Sequence, residues 1–195
     1  CHAVPNKWHL MGVMLSAAGS LRWFRDALAA WEVHQAAEAG VDPYEILTEK
    51  AATVPPGTEG LIFLPYLTGE RTPYPNPNAR GVYFGLSLRH EKPHLVRALL
   101  EGVAYGLRDS LELMKQLGLD LKTIRASGGG ARSDLWLQIL ANVFSKEILR
   151  SSSDGGAALG AAMIAGVGVG VFADFESACQ KTTGENEPIH PNQDQ

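Results

Sequence analysis

The stretch Ser127-Gly128-Gly129-Gly130-Ala131-Arg132-Ser133 constrains the fold more than any other part of this chain. Before it, residues 123–127 read as a strand; after it, Ser133 is a natural N-cap for a helix to about Phe144. Three glycines between them admit positive φ and carry no side chain, so a partner can come close to bare backbone. N–H groups at such a helix start favour an anion. A second strand (146–150) and a second helix (155–165, capped by Asp154) follow at once. Strand, helix, strand, helix in close succession is the pattern of βα units and an α/β class. The corner is neither G-x-x-x-x-G-K-[ST] nor G-x-G-x-x-G. Two readings of it stand: a nucleotide loop and a tight structural turn. Asp134, in the first helical turn, would repel a dense negative charge. That directs the nucleotide reading toward a nucleoside or α-phosphate end.

The rest of the chain alternates in the same way. Residues 8–15 are apolar and read as a buried strand, and 16–39 as one long helix stopped by Gly40. Leu21, Phe24, Leu28 and Trp31 recur on one face of that helix. Asp42-Pro43 restarts a helix to about Ala52, with Asp42 as cap and Pro43 as first helical residue. A loop covers 54–59, a short strand 61–64, and 66–80 is a long proline-rich loop of the kind that often carries function. Residues 81–88 read as strand or turn. Residues 93–117 are a helix, with Leu95, Leu99, Val103, Leu107, Leu111 and Met114 on one stripe and Gly118 as its stop. The polar tail from Thr182 reads as loop or fraying terminus.

Composition removes several classes. Of 195 residues 45% are hydrophobic and 19% charged, which supports a folded core and argues against disorder. The net charge of -4, with no Lys/Arg run above two, argues against a nucleic-acid partner. Residues 155–172 carry no charge, but they are rich in Gly and Ala and poor in large aliphatics, so a membrane span is not expected. Such small residues let a helix lie close against a sheet. Cys1 and Cys179 stand at opposite ends and fit no disulfide framework, which points to a reducing, cytoplasmic setting. No signal peptide is seen. The chain starts at Cys1 rather than Met, so a piece of a longer protein is expected.

Other motifs are weaker. His90-Glu91-Lys92-Pro93-His94 spells H-E-x-x-H, but Pro93 prevents the continuous helix a zinc site needs. It reads instead as a strand-to-helix connection. Glu70-Arg71 in the proline-rich loop is solvated, pinned by one ion pair, or in contact with a ligand; Arg80 has the same options. Trp8, Trp23, Trp31 and Trp136 fall in apolar segments and read as core or interface.

These residues together resemble the C-terminal domain of the FGGY carbohydrate kinases, most closely the xylulokinases. Cys1-His2-Ala3-Val4-Pro5 with Trp8-His9-Leu10-Met11 resembles the strand entering that domain. Leu64-Pro65-Tyr66-Leu67-Thr68-Gly69-Glu70-Arg71-Thr72-Pro73 is similar to the family's long loop. Gly81-Val82-Tyr83-Phe84-Gly85-Leu86, with His94-Leu95 and the run Ala98 to Glu101, resembles its second signature, Leu99 departing slightly. Residues 127–133 resemble its adenosine-side glycine motif. The resemblance runs from Cys1 to about Val171.

The resemblance implies an actin-like ATPase, ribonuclease-H-like α/β domain with a central sheet flanked by helices. It implies that 1–195 is a C-terminal nucleotide-binding domain lacking its N-terminal sugar-binding partner. ATP and Mg2+ would be the cofactors and D-xylulose the sugar, converted to D-xylulose 5-phosphate. Glycerol, ribulose or gluconate are alternative acceptors, and a non-catalytic actin-like nucleotide module is the alternative class. The family's catalytic aspartate falls outside this chain, so no catalytic residue and no metal ligand is assigned. Nucleotide contacts carry over to Gly128, Gly129, Gly130 and Ser133, and to Ala18, Gly19 and Arg22 at the first helix. A homodimer is the quaternary state common in the family.

Overall fold

The computed structural model describes residues 2–119, 121, 123–151, 155–182 and 187–192. In chain order these form α1 (Gly19–Leu28), α2 (Ala30–Ala39), α3 (Pro43–Ala52), β1 (Ile62–Leu64), β2 (Val82–Phe84), α4 (Lys92–Gln116), β3 (Ile124–Ala126), α5 (Asp134–Phe144), β4 (Ile148–Arg150), α6 (Gly156–Gly168) and α7 (Phe175–Thr182). The chain is a mixed helix-and-sheet protein, as its strand–helix alternation requires. The described strands pair as two short ladders. β1 and β2 are antiparallel, with Phe63 opposite Tyr83. β3 and β4 are parallel, with Arg125 opposite Leu149, and α5 is their crossover.

α4 is the axis of the molecule. Its stripe of Val96, Leu99, Leu100 and Val103 is buried against Phe24 of α1, Leu47 of α3, Phe63 of β1, and Leu137 and Leu140 of α5. Each such side chain removed from water stabilises the fold by about 2 kcal/mol. Gly102 lets α4 close onto β1: a Cβ there would lie 2.1 Å from the Phe63 carbonyl oxygen. The helix starts on a capping box, in which Glu91 accepts from the third helical N–H and His94 Nδ1 accepts from Glu91 N at 3.1 Å. His90 Nδ1 accepts from Ser87 N at 3.0 Å. The H-E-x-x-H spelling is thus a helix start, with both imidazoles bonded to backbone.

α3 begins as expected, Asp42 accepting from Tyr44 N at 2.9 Å with Pro43 first in the helix. Gly40 at φ 69° and Gly118 at φ 83° end α2 and α4 in the left-handed region.

Several expectations are corrected. The helix expected over 16–39 is two helices. Ala29, fully buried at φ -119° and ψ 35°, breaks it without any proline or glycine. The turn re-aims α2, so that Glu32 and Ala36 become its buried residues while Trp31 is 63% exposed and Leu28 half-exposed. The buried strand expected at 8–15 does not form. Trp8 is 79% exposed and only Met14 is buried. A strand needs a ladder partner, and the described residues supply the segment with isolated bonds: Thr72 N to Val13 O at 3.1 Å and Leu15 N to Glu70 Oε1 at 3.2 Å. Of the four tryptophans, only Trp136 is buried.

α6 buries no residue and packs on α7, Thr182 Oγ1 reaching Met163 Sδ at 3.3 Å. Its small residues therefore do not seat it on a sheet, and its expected cap, Asp154, lies outside the described residues. No helix among the described residues is long and apolar enough to cross a membrane. The tail is not simply frayed. Ile189 and Ile148 exchange both backbone bonds, at 2.9 and 3.0 Å, as an antiparallel bridge on β4. Gln138 Nε2 donates to His190 O at 2.9 Å, and Asn192 N to Asn142 Oδ1 at 2.8 Å, which straps the tail to α5.

Candidate functional site: one cavity at three helix starts

The starts of α1, α3 and α5 converge on one cavity of about 490 Å³. Its floor is apolar, made by Leu99, Leu100 and Val103 of α4 with Trp136 of α5. Ala17, Ala18, Gly19 and Arg22 form the α1 wall. Asp42, Tyr44, Glu45 and Thr48 form the α3 wall. The glycine corner supplies Gly129, Gly130, Arg132 and Ser133.

The corner is built by Gly128. At φ 81° and ψ -175° it occupies a region open only to glycine. A short 3₁₀ turn, Gly129–Arg132, follows, with Ala131 N donating to Gly128 O at 3.0 Å and Ser133 N to Gly130 O at 3.2 Å. Ser133 Oγ then accepts from Trp136 N at 3.3 Å and starts α5. Gly130 makes room for the indole: a Cβ there would sit 3.3 Å from Trp136 Nε1. At Gly129 a Cβ would meet nothing within 4 Å, so that position faces open space.

The two remaining starts differ chemically. α1 begins with no side-chain cap, whereas α3 is capped by Asp42 and carries Glu45 in its first turn. The α1 wall is therefore open to an anion and the α3 wall opposes one. Tyr44 is braced from outside the cavity. The Arg25 guanidinium stands 5.1 Å from its ring centroid, and Arg25 Nε donates to Asp26 Oδ1 at 2.7 Å. That hydrogen bond holds the Arg25 pKa above its ordinary value.

Six of the seven residues singled out from the sequence thus line one cavity: Ala18, Gly19, Arg22, Gly129, Gly130 and Ser133. Gly128 turns the corner without lining it. Asp134 corrects the charge argument made from sequence. It pairs with Arg150 beside a separate surface depression, so its carboxylate is countered and does not face the cavity. The α3 wall and the α4 floor were missed. Asp42-Pro43 marks where α3 starts, but which side chains meet a cavity depends on how α3 leans on α4.

Glu70 is buried and holds the proline-rich loop, its Oε1 accepting from Arg71 N at 2.7 Å as well as from Leu15 N. Arg71 is exposed, and Arg80 closes the loop on Pro77 O and Ala79 O at 3.1 and 2.7 Å. None of the three lines the cavity. Among the described residues no three His, Cys, Asp or Glu side chains converge as a metal cluster.

Comparison with known proteins agrees with this architecture. Residues 2–169 match the family model described as "FGGY family of carbohydrate kinases, C-terminal domain". A xylulose kinase of Escherichia coli is 42% identical over 166 residues, which is 85% of this chain and 32% of that protein. A gluconokinase of Bacillus subtilis is 39% identical over 179 residues, 91% of this chain and 35% of that protein. The crystal structure of a xylulose kinase from Brucella ovis superimposes with a TM-score of 0.81 at 35% identity, covering 100% of this chain and 37% of the other. The chain spans about a third of the length of the curated relatives it matches. These structural neighbours share the actin-like ATPase fold. On the family match across most of its length, the chain belongs to the FGGY family of carbohydrate kinases, whose C-terminal domain it matches.

Proposed function

We propose that this chain is the nucleotide-binding part of an ATP-dependent sugar kinase and that the three-helix cavity receives the nucleotide. The carrying observation is the cavity itself. An apolar floor, an uncapped helix start beside Arg22, and a glycine corner bare of side chains suit a flat base joined to an anion. Bound Mg-ATP would supply the transferable phosphoryl group. In this chain, Gly19, Arg22, Gly129 and Gly130 would hold its phosphate-bearing end and Leu99, Leu100, Val103 and Trp136 its nucleoside. The residues that hold the sugar, the aspartate that takes the proton of its hydroxyl and the metal ligands belong, on this reading, to sequence beyond this chain. Phosphoryl transfer depends on positioning both partners, so the 195-residue chain alone is expected to show no sugar kinase activity.

D-xylulose is the proposed acceptor, from the resemblance of the motifs and the xylulose kinase relatives. The gluconokinase relative makes gluconate its rival, and a substrate panel on a longer protein containing this chain separates them. The nucleotide reading has a direct test. Gly129 lacks positive φ and faces open space, so Gly129→Val should fold normally while adding bulk at the glycine corner of the cavity. ADP at millimolar concentration is expected to raise the melting temperature of the unaltered chain and to release heat in calorimetry. Gly129→Val is expected to abolish both effects with its own melting point little changed. No response of the unaltered chain to ADP, or an equal response of the variant, refutes the reading.

A further inference from the structure

We infer that Glu70 is a positioning residue for the nucleotide, holding the α1 wall of the cavity in place through the backbone at Leu15. The inference rests on the function proposed above and adds to it a residue that does not line the cavity. Its first support is a row of ties between the proline-rich loop and the segment that enters α1. Thr72 N donates to Val13 O at 3.1 Å, Leu15 N donates to Glu70 Oε1 at 3.2 Å, and the hydroxyls of Ser16 and Thr68 share a hydrogen bond of 3.1 Å. Alternate residues of the loop, 68, 70 and 72, thus grip residues 16, 15 and 13 in turn. The loop side of this grip is itself fixed. Glu70 and Asn76 exchange both backbone bonds, each at 3.0 Å. Gly69, at φ 81°, lets the two arms of the loop close where a Cβ would stand 2.8 Å from Pro77 O.

The second support is what the grip holds. Ala17 comes next, at φ 25°. A residue with a side chain stays in that left-handed region only where its surroundings fix it. α1 starts on this turn, with Ser20 N donating to Ser16 O and Ala17 O, both at 3.0 Å, and Leu21 N to Ala18 O at 3.2 Å. Ala17, Ala18, Gly19 and Arg22 are the α1 wall. The helix has no side-chain cap of its own, so the wall takes its position from Leu15 and Ser16. The third support is the chemistry of Glu70. It is buried, its Oε1 also accepts from Arg71 N at 2.7 Å, and its Oε2 has no hydrogen-bond partner among the described residues. A buried carboxylate whose hydrogen bonds all go to backbone N–H groups fixes main chain rather than ligand.

Calorimetric titration of ADP against the 195-residue chain, with the melting point of each variant measured, tests the assignment. Glu70→Ala is expected to weaken ADP about tenfold. Glu70→Gln keeps an oxygen for both N–H groups and is expected to bind ADP within about twofold of the unaltered chain. Ile189→Ala truncates a side chain packed on the core but outside the cavity, so it should lower the melting point and leave ADP affinity unchanged. Arg22→Ala alone should weaken ADP about tenfold. Combined with Glu70→Ala it should lose less than the product of the two, because the guanidinium is already displaced. Amide hydrogen exchange reads the clamp without nucleotide. In Glu70→Ala the amides of Leu15, Ser20 and Leu21 should exchange about tenfold faster, and those of α3 at the unaltered rate. If Glu70→Ala does not fold, Thr68→Val, at an exposed position, carries the test with an expected loss of about two- to threefold. ADP affinity no lower in Glu70→Ala than in Ile189→Ala, Glu70→Gln as weak as Glu70→Ala, losses that multiply with Arg22→Ala, or unchanged exchange at Leu15 and Ser20 overturns the assignment. If the unaltered chain binds no ADP, the function proposed above fails, and hydrogen exchange alone decides whether Glu70 holds the wall.

Discussion

Arg97 and Glu101 form an ion pair inside the protein, and its removal gives a decisive test of how the core is held. Arg97 Nε donates to Glu101 Oε1 at 2.7 Å, with side-chain exposures of only 6% and 9%. The pair is also tied to the loop after α3: Arg97 Nη1 donates to Val54 O at 3.2 Å, and Glu101 Oε2 accepts from Gly57 N at 3.1 Å. Arg97→Ala leaves a buried carboxylate with one backbone donor and takes the donor from Val54. Breaking one side of such a pair costs about 3–5 kcal/mol. For a chain of this size that lowers the melting temperature by roughly 10 °C. Urea unfolding should show the midpoint falling with the slope unchanged, because the exposed area on unfolding is the same. The double replacement Arg97→Met with Glu101→Leu removes both charges and fills the space, so it should lose less than Arg97→Ala alone. A loss below about 1 kcal/mol for Arg97→Ala, or a double replacement worse than the single, would refute the account of a desolvated, mutually dependent pair.

Two further outcomes are expected from other parts of the core. Glu32, also buried, accepts from Lys92 Nζ at 2.8 Å and lies 3.6 Å from Lys50 Nζ. Burial pushes its pKa up, but the Lys92 hydrogen bond and the two ammonium charges leave it below the ordinary carboxylate value. A lowered folded-state pKa gives stability that is present above the unfolded value and lost as pH falls through the folded one. Glu32→Gln should therefore cost about 2 kcal/mol near neutral pH, and its melting curve should converge on that of wild type as pH falls from about 5 to below about 4; a gap that stays constant contradicts this. Gly102→Ala should destabilise by about 3 kcal/mol through the clash with the Phe63 carbonyl, and an unchanged denaturation midpoint would show that α4 and β1 are not in that close contact.

The parts of the fold legible in the sequence are those with local causes. Asp42-Pro43, Gly40, Gly118 and the apolar stripe of α4 each carry their own stop, start or burial signal, and each sits where that signal places it. The break at Ala29 has no such signal, because alanine is the best helix former and its φ and ψ are set by burial. Trp8 misleads for the opposite reason: the apolar pattern asks for a strand, but a ladder is a property of two segments. The site divides the same way. The glycine corner announces itself by composition, whereas Tyr44 and Glu45 acquire their position from helix packing. Asp134 shows the hazard of reading charge by position alone, since its partner Arg150 is 16 positions away and on another element.

The strap at Ile189 has a consequence for handling the protein. By bridging Ile148 it occupies backbone groups along β4 that would otherwise be free to recruit extended peptide from another molecule. Trimming residues 187–192 would strip this cover while leaving the cavity untouched, and the shortened protein would be lost to precipitation on storage rather than to failed ligand binding.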